Sequence, residues 1–580
     1  MLTQIKALGI GEGVVVGKAY ILQKAELKFE KESNTTPDNE FYTFQSIEEK
    51  ALKQIDQLIT LASQNISEEK ADIFRAHKEI LKDVEIRTEI KEKLFSENCS
   101  IAWAINSVYD RYAQTFKEMS DSYFQERAAD MNDLKERLLT IALNIDSNEI
   151  SAINSECIVV AKDLTPSETS LLNKKYIKAF ITELGGVTSH SAIMAKTMGF
   201  PAIVSAKDAL EVIKQGETIA VDASSGIVYL NLDSNEQLLK ELQMREQKFE
   251  ETKLIWENYK SKKCKTLDGK NIPILGNIGQ PSDMSKVREF GGEGVGLFRT
   301  EFLYMKSRDW PSEEIQYSAY RKTLMDLHDD ESLTIRTLDI GGDKHLDYYE
   351  FPEEMNPFLG YRAIRMSLNE REQFIAQLRA ILRASADGNI KIMFPMITTF
   401  EEFIEAKRMV VEVKHQLEVE GHKLADKIPV GLMIEVPGAA LISKQLAKVA
   451  DFFSIGSNDL IQYTNAVDRM SENVNNLYQP NSPGVLRILN MVVKNANEAK
   501  IEVSVCGEMA SSPQSAVLLI GMGVDKLSMS ASSIPMIKRV LNNISFSEAE
   551  KLVEQALELT TEKEVVEMVN KYLESNNILL

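Results

Sequence analysis

Phe452-Phe453-Ser454-Ile455-Gly456-Ser457-Asn458-Asp459-Leu460 is a short apolar run that breaks at a glycine into three polar residues. A strand buried on both faces reads this way, as unbroken hydrophobicity rather than alternation. Working outward, residues 272–275, 294–298, 333–338, 390–394, 430–434, 503–505 and 526–529 are further short apolar runs, separated by stretches of helical periodicity. Eight strand-helix units over about three hundred residues have the order and size of a (β/α)8 barrel.

A barrel of this kind gathers its chemistry at the C-terminal ends of its strands. Those ends are polar here. The second run finishes in Arg299-Thr300-Glu301. The third carries Arg336 and Asp339 before Gly341-Gly342-Asp343-Lys344, and the fourth leads into Pro395-Met396. The fifth meets Glu435, the sixth Ser457-Asn458-Asp459 with Arg469 nearby, and the seventh Cys506-Gly507-Glu508. Arg299, Arg336 and Arg469 suit a small, multiply anionic substrate, because the guanidinium fork binds carboxylate and phosphate through paired hydrogen bonds. Glu435 and Asp459 offer hard oxygens to Mg²⁺, which leaves other positions for substrate oxygens. Capping the helices that follow is the second job open to such acids. Cys506, held near anions, stays protonated and can give up a proton. A phosphorylated enol acid meets all these demands.

The N-terminal half follows another pattern. Its first twenty residues read as a glycine-punctuated strand pair. From Phe44 to about Leu139 apolar residues recur at steps of three and four, the mark of amphipathic helices. Strands return at Cys157-Ile158-Val159-Val160, and residues 219–222 and 227–230 form a hairpin about Ser224-Ser225-Gly226. Residues 235–263, rich in Glu, Lys and Gln and without proline, predict a long linker helix. The expected architecture is therefore multidomain α/β: an α/β unit of residues 1–30 and 145–232, an all-helical insert of 31–144, a linker helix of 233–263, and the barrel of 264–580.

Within the α/β unit, Gly185-Gly186-Val187-Thr188-Ser189-His190 leads into Ser191-Ala192-Ile193-Met194-Ala195-Lys196. The glycines let the backbone approach a ligand, and Thr188 or Ser189 caps a helix whose first turn carries His190. A helix N-terminus disfavours imidazolium and welcomes an anion, so His190 reads as a neutral nucleophile able to hold a phosphoryl group.

The 580 residues carry 67 Lys+Arg against 87 Asp+Glu, a net charge of -20, which argues against nucleic acid and favours a basic partner. No apolar run has the length of a membrane span. The N-terminal residues lack a signal-peptide pattern, and Cys99, Cys157, Cys264 and Cys506 make no disulfide or zinc pattern. A reducing cytoplasm is the expected location.

With both constellations in view, the chain resembles enzyme I of the bacterial phosphoenolpyruvate-dependent sugar phosphotransferase system over essentially its whole length. The segments that carry this are residues 163–169, the Gly-Gly-x-Thr-Ser-His stretch, residues 294–303, 339–344, 356–360 and 452–460, and Cys506-Gly507-Glu508. The resemblance implies that His190 takes the phosphoryl group from phosphoenolpyruvate while Thr169 orients its ring. It also implies that Arg299, Arg336, Arg362 and Arg469, with Asn458, hold phosphate and carboxylate, that Mg²⁺ sits on Glu435 and Asp459, and that Cys506 protonates the enolate to give pyruvate. The phosphoryl group then passes to a histidine of the carrier HPr, docked on the helical insert, and the family dimerises through the barrel. Val187 stands where the family usually has Arg. Rival readings are a phosphoenolpyruvate synthase or dikinase, which needs an ATP-binding domain for which there is no room before residue 160, and a silent carrier-binding scaffold.

Overall fold

Cys157–Ala161 (β4) is buried at all five positions, as a central strand must be. Alternate residues feed two cores: Val159 packs with Phe180 and Phe200, whereas Ile158 and Val160 pack with Ile181 and Val221. The computed structural model describes residues 3–11, 13–22, 27–65, 68–118, 122–145, 150, 153–165, 168–169, 172–173, 175–186, 191–192, 195, 199–305, 307–342, 344, 346, 348–469, 471 and 473–578. The chain divides into two units, Met1–Glu251 and Thr252–Leu580.

In the first unit β4 belongs to a sheet of eight strands among the described residues. The others are β1 (Gln4–Lys6), β2 (Leu8–Ile10), β3 (Val14–Ile21), β5 (Ile177–Thr182), β6 (Ala202–Val204), β7 (Thr218–Asp222) and β8 (Ile227–Tyr229), in the order β1-β8-β7-β3-β4-β5-β6-β2. The first twenty residues thus form three strands, none paired with another of the three: β1 joins β8, β2 joins β6, and β3 lies between β7 and β4. Glycine permits this threading, since a Cβ on Gly9 would stand 2.0 Å from the Ala223 carbonyl oxygen.

Between β3 and β4 lie α1 (Pro37–Asn65), α2 (Glu68–Leu81), α3 (Val84–Glu97), α4 (Ile101–Glu118) and α5 (Ser122–Ala142). The periodic residues Phe44, Ile47, Ala51, Ile55 and Leu58 of α1 face Ile86, Ile90 and Leu94 of α3 and Ile105 and Tyr109 of α4 in one core. Asp83 starts α3 by accepting from the backbone N–H groups of Glu85 and Ile86, and Asn98 in left-handed conformation ends it. After β8 comes α6 (Glu236–Glu257), whose Leu242 packs with Val14 and Ala220.

The second unit is a closed barrel of parallel strands: β9 (Ile274–Ile278), β10 (Val295–Arg299), β11 (Leu333–Arg336), β12 (Ile390–Phe394), β13 (Val430–Ile434), β14 (Phe452–Ile455), β15 (Glu502–Val505) and β16 (Lys526–Met529). β16 pairs back onto β9, Leu527 against Ile274, so the sheet has no edge. Leu297, Met393, Met433, Phe452 and Cys506 fill its interior. At the N-terminal ends of the strands Glu502 joins Lys391 at 2.7 Å and Lys526 at 2.8 Å. This places the residues that follow each strand around one mouth.

Candidate active site

Glu301, Arg336, Asp339, Lys344, Arg362 and Asp459 form a continuous ion network at the C-terminal end of the barrel. Arg336, the last residue of β11, donates through Nη2 to Glu301 at 2.7 Å and lies 2.9 Å from Asp339. Lys344 reaches both acids, at 2.9 and 3.2 Å. Arg362 follows a short 3₁₀ turn rather than a strand, and its Nη2 contacts Asp339 at 2.9 Å and Asp459 at 3.3 Å. Its Nη1 donates to the Tyr463 hydroxyl at 3.1 Å. Asp459 opens the helix α7 (Ser457–Asn465), and its other oxygen lies 3.5 Å from Arg469.

The electrostatics follow from burial and company. Burial alone would raise the Asp339 carboxyl, but Arg336, Lys344 and Arg362 outweigh it and hold this group well below the usual range. Glu301 is lowered in the same way against its own burial, chiefly by Arg336. Glu435 behaves oppositely. Its burial, reinforced by the nearby Asp459 and Asp339 charges, pushes it to about 8. Its Oε1 accepts a 2.6 Å hydrogen bond from the N–H of Met396, a residue held at φ 55.

Glu435 and Asp459 are the pair suited to a cation. Both offer carboxylate oxygens, Glu435 bears the cost of unrelieved negative charge, and Gly456 keeps space beside it: a Cβ there would lie 2.6 Å from Glu435 Oε2. Among the described residues no group of three or more His, Cys, Asp or Glu side chains is arranged to hold a metal. A hard divalent ion on two carboxylates, completed by water and substrate oxygens, fits that donor set.

Donor capacity remains around this network. Nε of Arg336 and of Arg362 is buried without a hydrogen-bond partner among the described residues. Arg299, at the end of β10, makes no ion pair among them, and its charge is close enough to bear on the Cys506 thiol. Asn458 accepts from the Glu508 N–H through Oδ1 at 2.8 Å, which leaves its amide NH₂ to donate. Unspent donors of this kind are what an anionic ligand requires.

Cys506 follows β15 and is 4% exposed. Burial raises its thiol above the ordinary value, so it remains protonated at neutral pH. Ser454 donates to its sulfur at 3.3 Å, and the sulfur lies 3.6 Å from the Ile455 carbonyl oxygen.

The structure thus brings Arg336, Arg362, Arg469, Asp459, Glu435, Asn458, Arg299 and Cys506 to one barrel mouth. Thr169 belongs to the other unit, where it is buried and its hydroxyl donates to the Thr165 carbonyl at 3.1 Å. Val187, Thr188, Ser189 and His190 lie outside the described residues. The preceding Gly185 has φ 102, and its carbonyl accepts from the Ser205 hydroxyl.

Sequence reasoning placed Glu301, Asp339 and Lys344 at strand ends without assigning them work. Their role as the frame around the arginines emerges from a network that includes contacts across 23 to 43 residues of chain. Ser454 did carry a signal, as the one polar residue within the apolar run of β14.

Three family models match in order: "PEP-utilising enzyme, N-terminal" over residues 6–127, "PEP-utilising enzyme, mobile domain" over 153–226, and "PEP-utilising enzyme, PEP-binding domain" over 253–546. The phosphoenolpyruvate-protein phosphotransferase of Mycoplasma genitalium is 42% identical over 583 residues, covering 100% of each chain. The enzymes of that name from Priestia megaterium and Bacillus subtilis are 41% identical over 569 and 570 residues; each alignment covers 98% of this chain, with 99% and 100% of the relatives. Similarity at this level over the full length, with all three models in sequence, is not confined to one domain or one motif, and the chain belongs to the phosphoenolpyruvate-protein phosphotransferase family.

Proposed function

We propose that this chain transfers the phosphoryl group of phosphoenolpyruvate to His190 and then to a histidine of an HPr-like carrier protein, releasing pyruvate, as the first step of sugar uptake by the phosphotransferase system. The observation that carries the reading is the set of buried arginines with unspent donors beside a protonated thiol.

Arg299, Arg336, Arg362 and Arg469, with the Asn458 amide, bind the carboxylate and phosphate of the substrate and spread the charge of the transferring group. Glu301 and Asp339 keep the guanidinium groups of Arg336 and Arg362 in place, and Lys344 shares both acids with them. Mg²⁺, held by Glu435 and Asp459, would supply Lewis-acid stabilisation of negative charge on substrate oxygens. His190 forms the new N–P bond as the C–O–P bridge breaks at phosphorus, which leaves the enolate of pyruvate. The Cys506 S–H proton then goes to C3 of that enolate as the C2 oxygen becomes a carbonyl, and the thiolate regains its proton from solvent. Thr169 orients the His190 ring.

The carrier docks on the helical insert of residues 31–144, where an acidic protein with a net charge of -20 favours a basic partner face. The barrel of residues 264–580 serves substrate binding and homodimerisation, and residues 1–30 and 145–232 carry the phosphohistidine, joined to it by the linker of 233–263. No described helix is long and apolar enough to cross a membrane, and the net charge of -20 argues against a nucleic-acid partner.

Incubating the protein with ³²P-labelled phosphoenolpyruvate and Mg²⁺ tests the reading. Acid-labile label on the protein, transferable to HPr and lost in His190→Ala, is the expected result. Label that persists in His190→Ala sinks it, and pyruvate phosphorylation driven by ATP would favour a dikinase instead.

A further inference from the structure

Leu297, Met393, Met433 and Phe452 surround Cys506 in the barrel interior, yet three polar side chains, Asn277, Ser528 and Ser454, lead back to that residue. Asn277 stands in β9, and its Nδ2 donates to the Cys506 carbonyl oxygen at 3.0 Å. Its Oδ1 accepts from the Ser528 hydroxyl of β16 at 2.6 Å, and Ser528 is fully buried. From the opposite side the Cys506 N–H donates to the Ile455 carbonyl at 3.1 Å, and Ser454 donates to the sulfur. Cys506 is therefore held at its N–H, its carbonyl and its sulfur from two sides of the barrel.

We propose that Asn277, braced by Ser528, is a positioning residue for the proton donor, an inference that rests on the function proposed above. Ser528 is fully buried and Asn277 partly so, and a hydroxyl or amide withdrawn from water is costly unless it is hydrogen-bonded. Apolar residues of similar size would fill this space without that requirement. Asn277 instead spends its amide on the carbonyl of Cys506, the residue immediately after β15, whose paired register with β14 and β16 ends at Val505. Fixing that carbonyl fixes the Cα–Cβ direction and so the place of the thiol. Proton transfer to carbon is sensitive to such placement, because a misplacement of about 1 Å costs on the order of a hundredfold in rate.

Phosphoryl transfer to His190 does not use the thiol, whereas making or breaking the C3–H bond does. The two halves of the reaction therefore respond differently to Asn277. The test uses the full chain with Mg²⁺ and compares acid-labile ³²P uptake from phosphoenolpyruvate in a single turnover with passage of ¹⁴C from pyruvate into phosphoenolpyruvate on the phosphorylated protein. Asn277→Ala is expected to slow the carbon exchange by about tenfold or more while ³²P uptake changes by less than about threefold. Ser528→Ala should show the same split to a smaller extent, and it decides the matter alone should Asn277→Ala not fold. Equal loss of both readouts, or loss of neither, overturns the inference. Cys506→Ala is the control: unchanged exchange there removes the proton-donor reading itself, while lost exchange there with normal exchange in the Asn277 and Ser528 variants removes only the positioning role.

Discussion

Arg362 holds Asp339 at 2.9 Å, with both side chains only 3% exposed. Asp339 also faces Arg336 and Lys344, so one carboxylate organises three cations at the barrel mouth. A buried ion cluster of this sort adds little net stability over apolar packing, and breaking one member is far more costly than never building it. Its value is geometric: it sets the guanidinium planes before substrate arrives.

Asp339→Asn should therefore damage both stability and binding. With its charge gone, two buried guanidinium groups lose a partner, and about 3–5 kcal/mol of stability should be lost with it. Urea unfolding of the two proteins reports the first effect, and KM for phosphoenolpyruvate should rise with it. An unchanged midpoint would show that the cluster relaxes without cost.

Cys506 should alkylate slowly at neutral pH. Burial raises its thiol above the ordinary value, so the thiolate fraction is smaller than that of free cysteine and the rate should climb only at higher pH. Iodoacetamide labelling followed by mass spectrometry across pH 6 to about 10 measures this. Labelling of Cys506 as fast as free cysteine at pH 7 would contradict it.

The floor of the barrel makes a pH prediction. Burial works against the charge on Glu502, but Lys391 and Lys526 outweigh it and lower its pKa from 4.5. A depressed carboxylate contributes stability above its unfolded value, and that contribution is lost as pH falls through the folded value. Glu502→Gln should be less stable than the parent at pH 7, and the gap should close as both are taken below about pH 4.5. A gap that widens in acid would reverse the sign.

Gly226 closes the β7–β8 hairpin at φ 66, and a methyl group there would lie 2.3 Å from the Ala7 carbonyl oxygen. Gly226→Ala should cost on the order of 2 kcal/mol or more, from left-handed strain and the clash together. Because the residue lies within Met1–Glu251, a differential scan of the full chain should show the loss in that unit's transition and leave the barrel's transition in place.

Much of this molecule is legible in linear order because strands and helices are written in short-range periodicity. The runs at 390–394, 430–434, 452–455 and 526–529 coincide with β12, β13, β14 and β16, and the polar residues after them mark the functional end of the barrel. The strand pair read into the first twenty residues did not survive. Its three strands each find partners about 140 residues or more away, and close backbone approach at Gly9 depends on a carbonyl that local sequence does not reveal.

Residue type by itself determined the barrel, the helical segment between two parts of one sheet, and the presence of arginines, carboxylates and a cysteine near strand ends. Only the tertiary structure decided which charges face one another. Burial and Coulomb interaction act through space, so Asp339 is held ionised while Glu435 is pushed toward its neutral form, although both follow barrel strands. The same reason places Asn277 against the backbone of Cys506 and Ser528, more than 200 residues of chain away, against Asn277.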